Sequence, residues 1–166
     1  MFKILSAMVL AALLVPLPSY SEENENYYRA EFAKSVFVDS LLTLYSNIPP
    51  FDDRTRIQQS SSNAASLAIQ SLEANPSPKA LTVLAELNMF DLDGAVGEEH
   101  DCAVVRKGKK ILPILKKQKA KNLKLACDKE VTKNNGSHKI CAPTNTIERH
   151  LRDQISAIAQ GQKCDD

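Results

Sequence analysis

Apolar positions along this chain recur mostly at three- and four-residue steps, the spacing of one face of a helix. Between Asn24 and Asn47 the stripe runs Tyr28, Phe32, Val36, Leu41, Leu44 and Tyr45, with Ile48 beyond, until Pro49-Pro50 stops it. A second helix is expected to open at Asp52 or Asp53, either of which can cap first-turn amides. It continues through Ile57, Ala64, Leu67, Ala68 and Leu72. Its small polar middle, Ser60 to Ser66, suits close helix packing, and a flexible linker is the competing reading. Ser77 followed by Pro78 predicts the start of a third helix, since proline at the first helical position loses no bond. Leu81, Leu84, Ala85 and Leu87 or Met89 supply its buried face. The stretch Asp91 to Asp101 reads as an acidic, glycine-containing connection. From Ala103 to Val131 the pattern is mixed, and Pro113 is expected to kink a helix or begin one. Asn145 and Glu148 are spaced as a capping pair for a last helix. Its stripe is Ile147, Leu151, Ile155 and Ile158, ending at Gly161. The fold class expected is all-α, a compact bundle of four to six helices.

The first segment reads differently. Met1-Phe2-Lys3 is a short basic start, and Ile4 to Leu17 carries no charge. Ser19-Tyr20-Ser21 places small residues where a signal peptidase reads. An apolar run of about 14 residues is short for a spanning helix, which needs roughly 20. Residues 1–21 are therefore expected to be a signal peptide, with an uncleaved anchor as the alternative. Residues 22–166 are expected to form a single helical domain, exported to the periplasm, or secreted, with no stable membrane insertion after cleavage.

Composition narrows this little. The 166 residues are 43% hydrophobic and 25% charged, ordinary for one globular domain. Only five glycines over this length disfavour a barrel or sandwich, which needs many tight turns. Export gives the four cysteines a meaning. Cys102, Cys127, Cys141 and Cys164 are too widely spaced for a zinc site and are expected to form a disulfide framework. Chain entropy does not choose the pairing. The nested arrangement (Cys127 with Cys141, Cys102 with Cys164) is worth roughly 3 plus 4 kcal/mol, and the sequential one roughly 3.5 for each bridge. Asn134-Asn135-Gly136-Ser137 favours nesting modestly, because it would turn the chain back between Cys127 and Cys141.

The net charge of +1 conceals an imbalance. Glu22 to Asp101 carries fourteen acids and five bases, whereas Cys102 to Asp166 carries six acids and fifteen bases. Nine Lys or Arg fall between Arg106 and Lys124 with no acid among them. Such a run can bind an acidic partner or neutralise the acidic half of the same molecule. It lacks interleaved aromatics, since every Phe and Tyr lies at or before Phe90, which argues against nucleic acid. Two candidate partner-binding surfaces follow: the acids Asp91, Asp93, Glu98, Glu99 and Asp101, and the bases beginning Arg106, Lys107, Lys109 and Lys110.

Catalytic patterns are missing. The chain has no Gly-x-Ser-x-Gly elbow and no phosphate-cradling glycine loop. Glu98-Glu99-His100-Asp101-Cys102 gathers ligand-capable residues, but adjacent side chains do not readily converge on one ion. That segment is read as a solvated acidic loop, His138 as part of a polar turn, and His150 as exposed. No catalytic residue, metal ligand or cofactor is expected. Asn135-Gly136-Ser137 is a glycosylation sequon, relevant only in a eukaryotic secretory pathway.

The order of features resembles a known family. A signal segment is followed by a helix ending Leu41-Leu42-Thr43-Leu44-Tyr45-Ser46-Asn47-Ile48-Pro49-Pro50 and an Ala/Ser-rich helix through Leu72. Then come Leu92-Asp93-Gly94-Ala95-Val96-Gly97-Glu98, Cys102, and a basic half with three more cysteines. This looks like the exported immunity proteins of bacterial toxin–immunity pairs, particularly family fifty-seven. The resemblance implies a non-enzymatic helical protein that neutralises a cognate protein toxin by binding it. A ligand-binding or assembly protein of the envelope is the alternative.

Overall fold

The structure, a computed structural model, describes residues 22–44, 51–92, 94–134 and 136–164, the side chains of 51–54 excepted. Residues 1–21, where a signal peptide is expected, lie outside the described residues, as do Tyr45 to Pro50, Asp93, Asn135, Asp165 and Asp166. Seven α-helices run along these residues: α1 (Glu22–Leu44), α2 (Phe51–Ala74), α3 (Pro78–Glu86), α4 (Gly94–Lys107), α5 (Leu112–Lys117), α6 (Ala120–Lys133) and α7 (Thr144–Ala159). Short 3-10 turns follow α3, α4 and α6. The all-α class stands, but the count exceeds the expected four to six.

The additional helices come from the stretches read as a connection or as mixed. Gly94 to Lys107 is helical throughout and buries Val96, His100, Ala103 and Val104. These sit at helical spacing, but one of them is a histidine, so hydropathy alone does not reveal the stripe. Gly97 is required within it. A Cβ there would lie 2.8 Å from the backbone oxygen of Leu92. Pro113 stands in the first turn of α5, so it begins a helix rather than kinking one.

α1 and α2 form an antiparallel pair, fixed at its open end by Asn75 Nδ2, which donates to the carbonyl of Asn26 at 2.8 Å. The buried face of α1 is Ala30, Ala33, Phe37, Val38, Ser40 and Leu41. Two residues assigned to the stripe are therefore on the wrong side: Tyr28 is 57% exposed and Phe32 72%. On α2, Ala65, Ala68, Ile69 and Leu72 are buried while Leu67 is 64% exposed. Small side chains let two helices approach closely, so alanines take the interface and the larger apolar residues are turned out. The serine-rich middle of α2 is helix, not linker, with Ser61 buried. Asp52 and Asp53 fall inside α2 rather than ahead of it.

α3 starts as read. Ser77 Oγ accepts from the Ala80 amide at 3.2 Å, and Pro78 follows at the first helical position. α7 differs at its start, because Thr144 already opens it and no side chain caps it. Its end is a Schellman motif. Gly161, with φ +66°, donates to Ile158, and Gln162 to Ala157. Between these helices the chain crosses itself once. Phe90 and Cys141 form an isolated antiparallel bridge, with Asp91 N donating to Ile140 O and Ala142 N to Met89 O.

The buried side chains make one connected cluster drawing on all seven helices, with Phe37 and Phe90 rings 5.7 Å apart. The disulfides are nested. Cys127 bonds Cys141 across 14 residues, and Cys102 bonds Cys164 across 62. The first joins α6 to the crossing strandlike segment, and the second ties the chain end to α4.

Candidate functional site

Among the described acidic candidates, Glu98 and Asp101 are exposed and Asp91 and Glu99 half-buried, and several are tied into the fold. Asp101 Oδ1 accepts from Gln154 Nε2 at 2.8 Å. Gln154 is buried and exchanges two further bonds with buried Asn88, at 2.9 and 3.0 Å. Glu99 lies 3.8 Å from Arg106, about two turns further along α4. Asp91 is half-buried, and its backbone is committed to the bridge. Asp93 lies outside the described residues. Glu98 stands exposed. It helps line a pocket of about 220 Å³ together with Leu92, Gly97, His100, Asp101 and His150.

His100 corrects the reading of a solvated loop. It is 2% exposed, and its Nε2 donates to the Leu84 carbonyl at 2.8 Å. Burial pushes its pKa below 6.5, against the opposing pull of the Leu84 bond and of Asp101. The ring is thus a neutral core group that holds α4 to α3. His150 is half-buried beside it rather than exposed. His138 is exposed in its turn, with Nδ1 3.3 Å from Asp128. Asp128 lies below the usual carboxylate range, first through its bond from Lys124 and then through His138. Among the described residues no three His, Cys, Asp or Glu side chains gather as a metal would require.

The basic candidates divide into two groups. Arg106 makes two bonds to the Glu73 carboxylate, at 2.7 and 2.8 Å, and Lys107 Nζ donates to the Glu73 carbonyl. Both therefore bind α4 to α2. Lys109, Lys110, Lys116, Lys117, Lys119 and Lys121 reach no acid at ion-pair distance among the described residues, and all are exposed. Within the run, the ion pairs to acids of the first half pass through Arg106. The basic half thus leaves most of its charge in solvent rather than folding it onto the acidic half.

Part of that charge borders a cleft of about 450 Å³ between α3, α5 and α6. Met89, Ile114, Leu123 and Ala126 give it an apolar floor; Lys34, Lys117, Lys119, Glu86 and Glu130 stand around it. Gln118 also lines it, and its Oε1 is buried without a hydrogen-bond partner. Sequence reasoning missed this feature. The available signal was Ile114 and Leu123 interleaved with lysines, but the third wall comes from α3, distant in the chain.

The family model described as Immunity protein 57 matches residues 54–130, just under half of the chain. The chain resembles that family. No curated protein and no solved structure matches significantly. The segment similar to Immunity protein 57 runs from the first turn of α2 nearly to the end of α6. It holds the acidic helix, the basic run and every residue of the cleft except Lys34. No helix among the described residues is long and apolar enough to cross a membrane.

Proposed function

We propose that this chain is an exported immunity protein that binds a cognate bacterial toxin and neutralises it by occupying its surface, without catalysis. The observation that carries the reading is the similarity to Immunity protein 57 over residues 54–130. Two disulfides support it, since such bonds persist in oxidising compartments such as the periplasm. On this reading residues 1–21 are the signal peptide and residues 22–166 the helical domain that meets the toxin. Unpaired surface charge suits the task, because complementary charge speeds association with one partner.

The test is co-expression of the tagged chain, with its own signal peptide, alongside the product of the adjacent reading frame in its native genome. A stoichiometric complex is expected, with the neighbour lethal in the envelope when expressed alone. No complex together with a harmless neighbour overturns the reading. A second reading, an envelope protein that carries a small apolar ligand, is favoured by the floor of the α3–α5–α6 cleft, whose volume is in the range of ligand pockets. Saturable binding of a reporter dye, abolished by blocking that cleft, would support it.

A further inference from the structure

The immunity reading leaves open which surface meets the partner, and the following inference rests on that reading. We propose that the cleft between α3, α5 and α6 docks an acidic segment of the partner protein, with one apolar side chain of that segment seated on its floor. Three observations converge there. The floor is apolar, with Met89 and Leu123 drawn from the buried core and Ile114 half-buried beside them. The rim is unevenly satisfied. Glu86 is held by Lys34 at 3.1 Å and Glu130 accepts from Asn134 at 3.4 Å, whereas Lys117 and Lys119 have no acid partner among the described residues. Lys116 and Lys121 are exposed close by in the chain and equally unpaired among those residues.

The third observation is Gln118. It is the one described residue with a buried side-chain polar atom lacking a hydrogen bond, and it lines this cleft. A buried acceptor without a donor is costly, so a rotation that brings Oε1 to an incoming N–H is favoured once a donor arrives. A peptide segment supplies such donors along its backbone, its carboxylates meet the lysines, and its apolar side chain covers the floor. A nucleic acid fits less well. Phosphates would use the lysines but not the floor, and no aromatic ring stands on α5 or α6 for a base to stack on.

The experiment measures binding of the neighbour's product to the full mature chain in three forms. Lys117→Glu with Lys119→Glu reverses the rim. Ala126→Phe fills the cleft without a change of charge. All three positions are exposed, so circular dichroism and melting are expected to match the parent. The reversal is expected to weaken binding by about tenfold or more, chiefly by slowing association and flattening its salt dependence. The filled cleft is expected to weaken it comparably while leaving the salt dependence intact. Parent-like affinity in both variants overturns the cleft and leaves the immunity reading standing. Absence of any complex with the parent chain, with a harmless neighbour, overturns both. Loss of binding to phosphatidylglycerol vesicles in the reversed variant, with the neighbour's product bound as by the parent, also overturns the proposal and assigns the lysines to a lipid surface.

Discussion

Two oppositely charged stretches lie side by side in this chain, and the fold treats them differently. In α4 the acids are largely engaged: Glu99 faces Arg106, and Asp101 receives a bond from Gln154. In the stretch from Lys109 to Lys121 six lysines stand in solvent without an acid partner among the described residues. A count of charges by segment ranks the two stretches as equal candidates for a binding surface. The partners in space separate them. Charge that closes a bond within the molecule holds helices in place; charge left in water remains available to another molecule.

The contrast can be broken at α4 first, where the largest effect is expected. Gln154→Leu removes both bonds to Asn88 and the bond to Asp101, leaving the Asn88 carboxamide buried with only its donation to Ala85. The expected loss is about 2 kcal/mol of stability, read from the urea midpoint. An unchanged midpoint would show that the network does not hold α7 against α4.

Acid probes the same region. His100 is kept neutral in the folded chain by burial, whereas the unfolded chain protonates it near pH 6.5. The unfolded state therefore binds the extra proton as pH falls below 6.5, and stability declines there by up to about 1.4 kcal/mol per pH unit. Asp101 opposes the effect and His150, facing from α7, adds to it. His100→Gln, which retains a donor for the Leu84 carbonyl, is expected to flatten the decline between pH 7 and 5; an equally steep curve assigns it to other groups. The smallest effects sharpen the comparison. Arg106→Ala, which breaks a partly exposed forked pair with Glu73, is expected to cost about 1 kcal/mol. Lys109→Ala with Lys110→Ala is expected to stay within about 0.5 kcal/mol. A comparable cost for the two changes would erase the distinction between engaged and available charge.

What could be read from the sequence followed the strength of local signals. Ser77-Pro78 marked the start of α3, Gly161 the end of α7, and the Asn134–Ser137 turn favoured the nested pairing that the disulfides adopt. The turn bears directly only on the shorter, 14-residue disulfide loop, and the two helix ends are settled within a few residues of themselves. The face of α1 was not, because Tyr28 and Phe32 outweigh Ala30 and Ala33 in hydropathy while the close approach of α2 selects the alanines. The first half of α4 reads as a connection in the sequence because its stripe passes through a histidine whose partner, the Leu84 carbonyl, belongs to another helix. The cleft was invisible for a related reason. Its floor and its unpaired Gln118 exist only once α3, α5 and α6 are assembled.

The nested disulfides bear on where this molecule can be cut. The stretch similar to Immunity protein 57 ends at residue 130, while the second cysteine of each bond lies at Cys141 and Cys164. A fragment trimmed to residues 54–130 would keep Cys102 and Cys127 and lose both of their mates. In an oxidising solution it would carry two unpaired thiols on separate helices, free to react with each other or with thiols on other molecules. The tail beyond the recognisable segment is therefore what makes that segment chemically quiet.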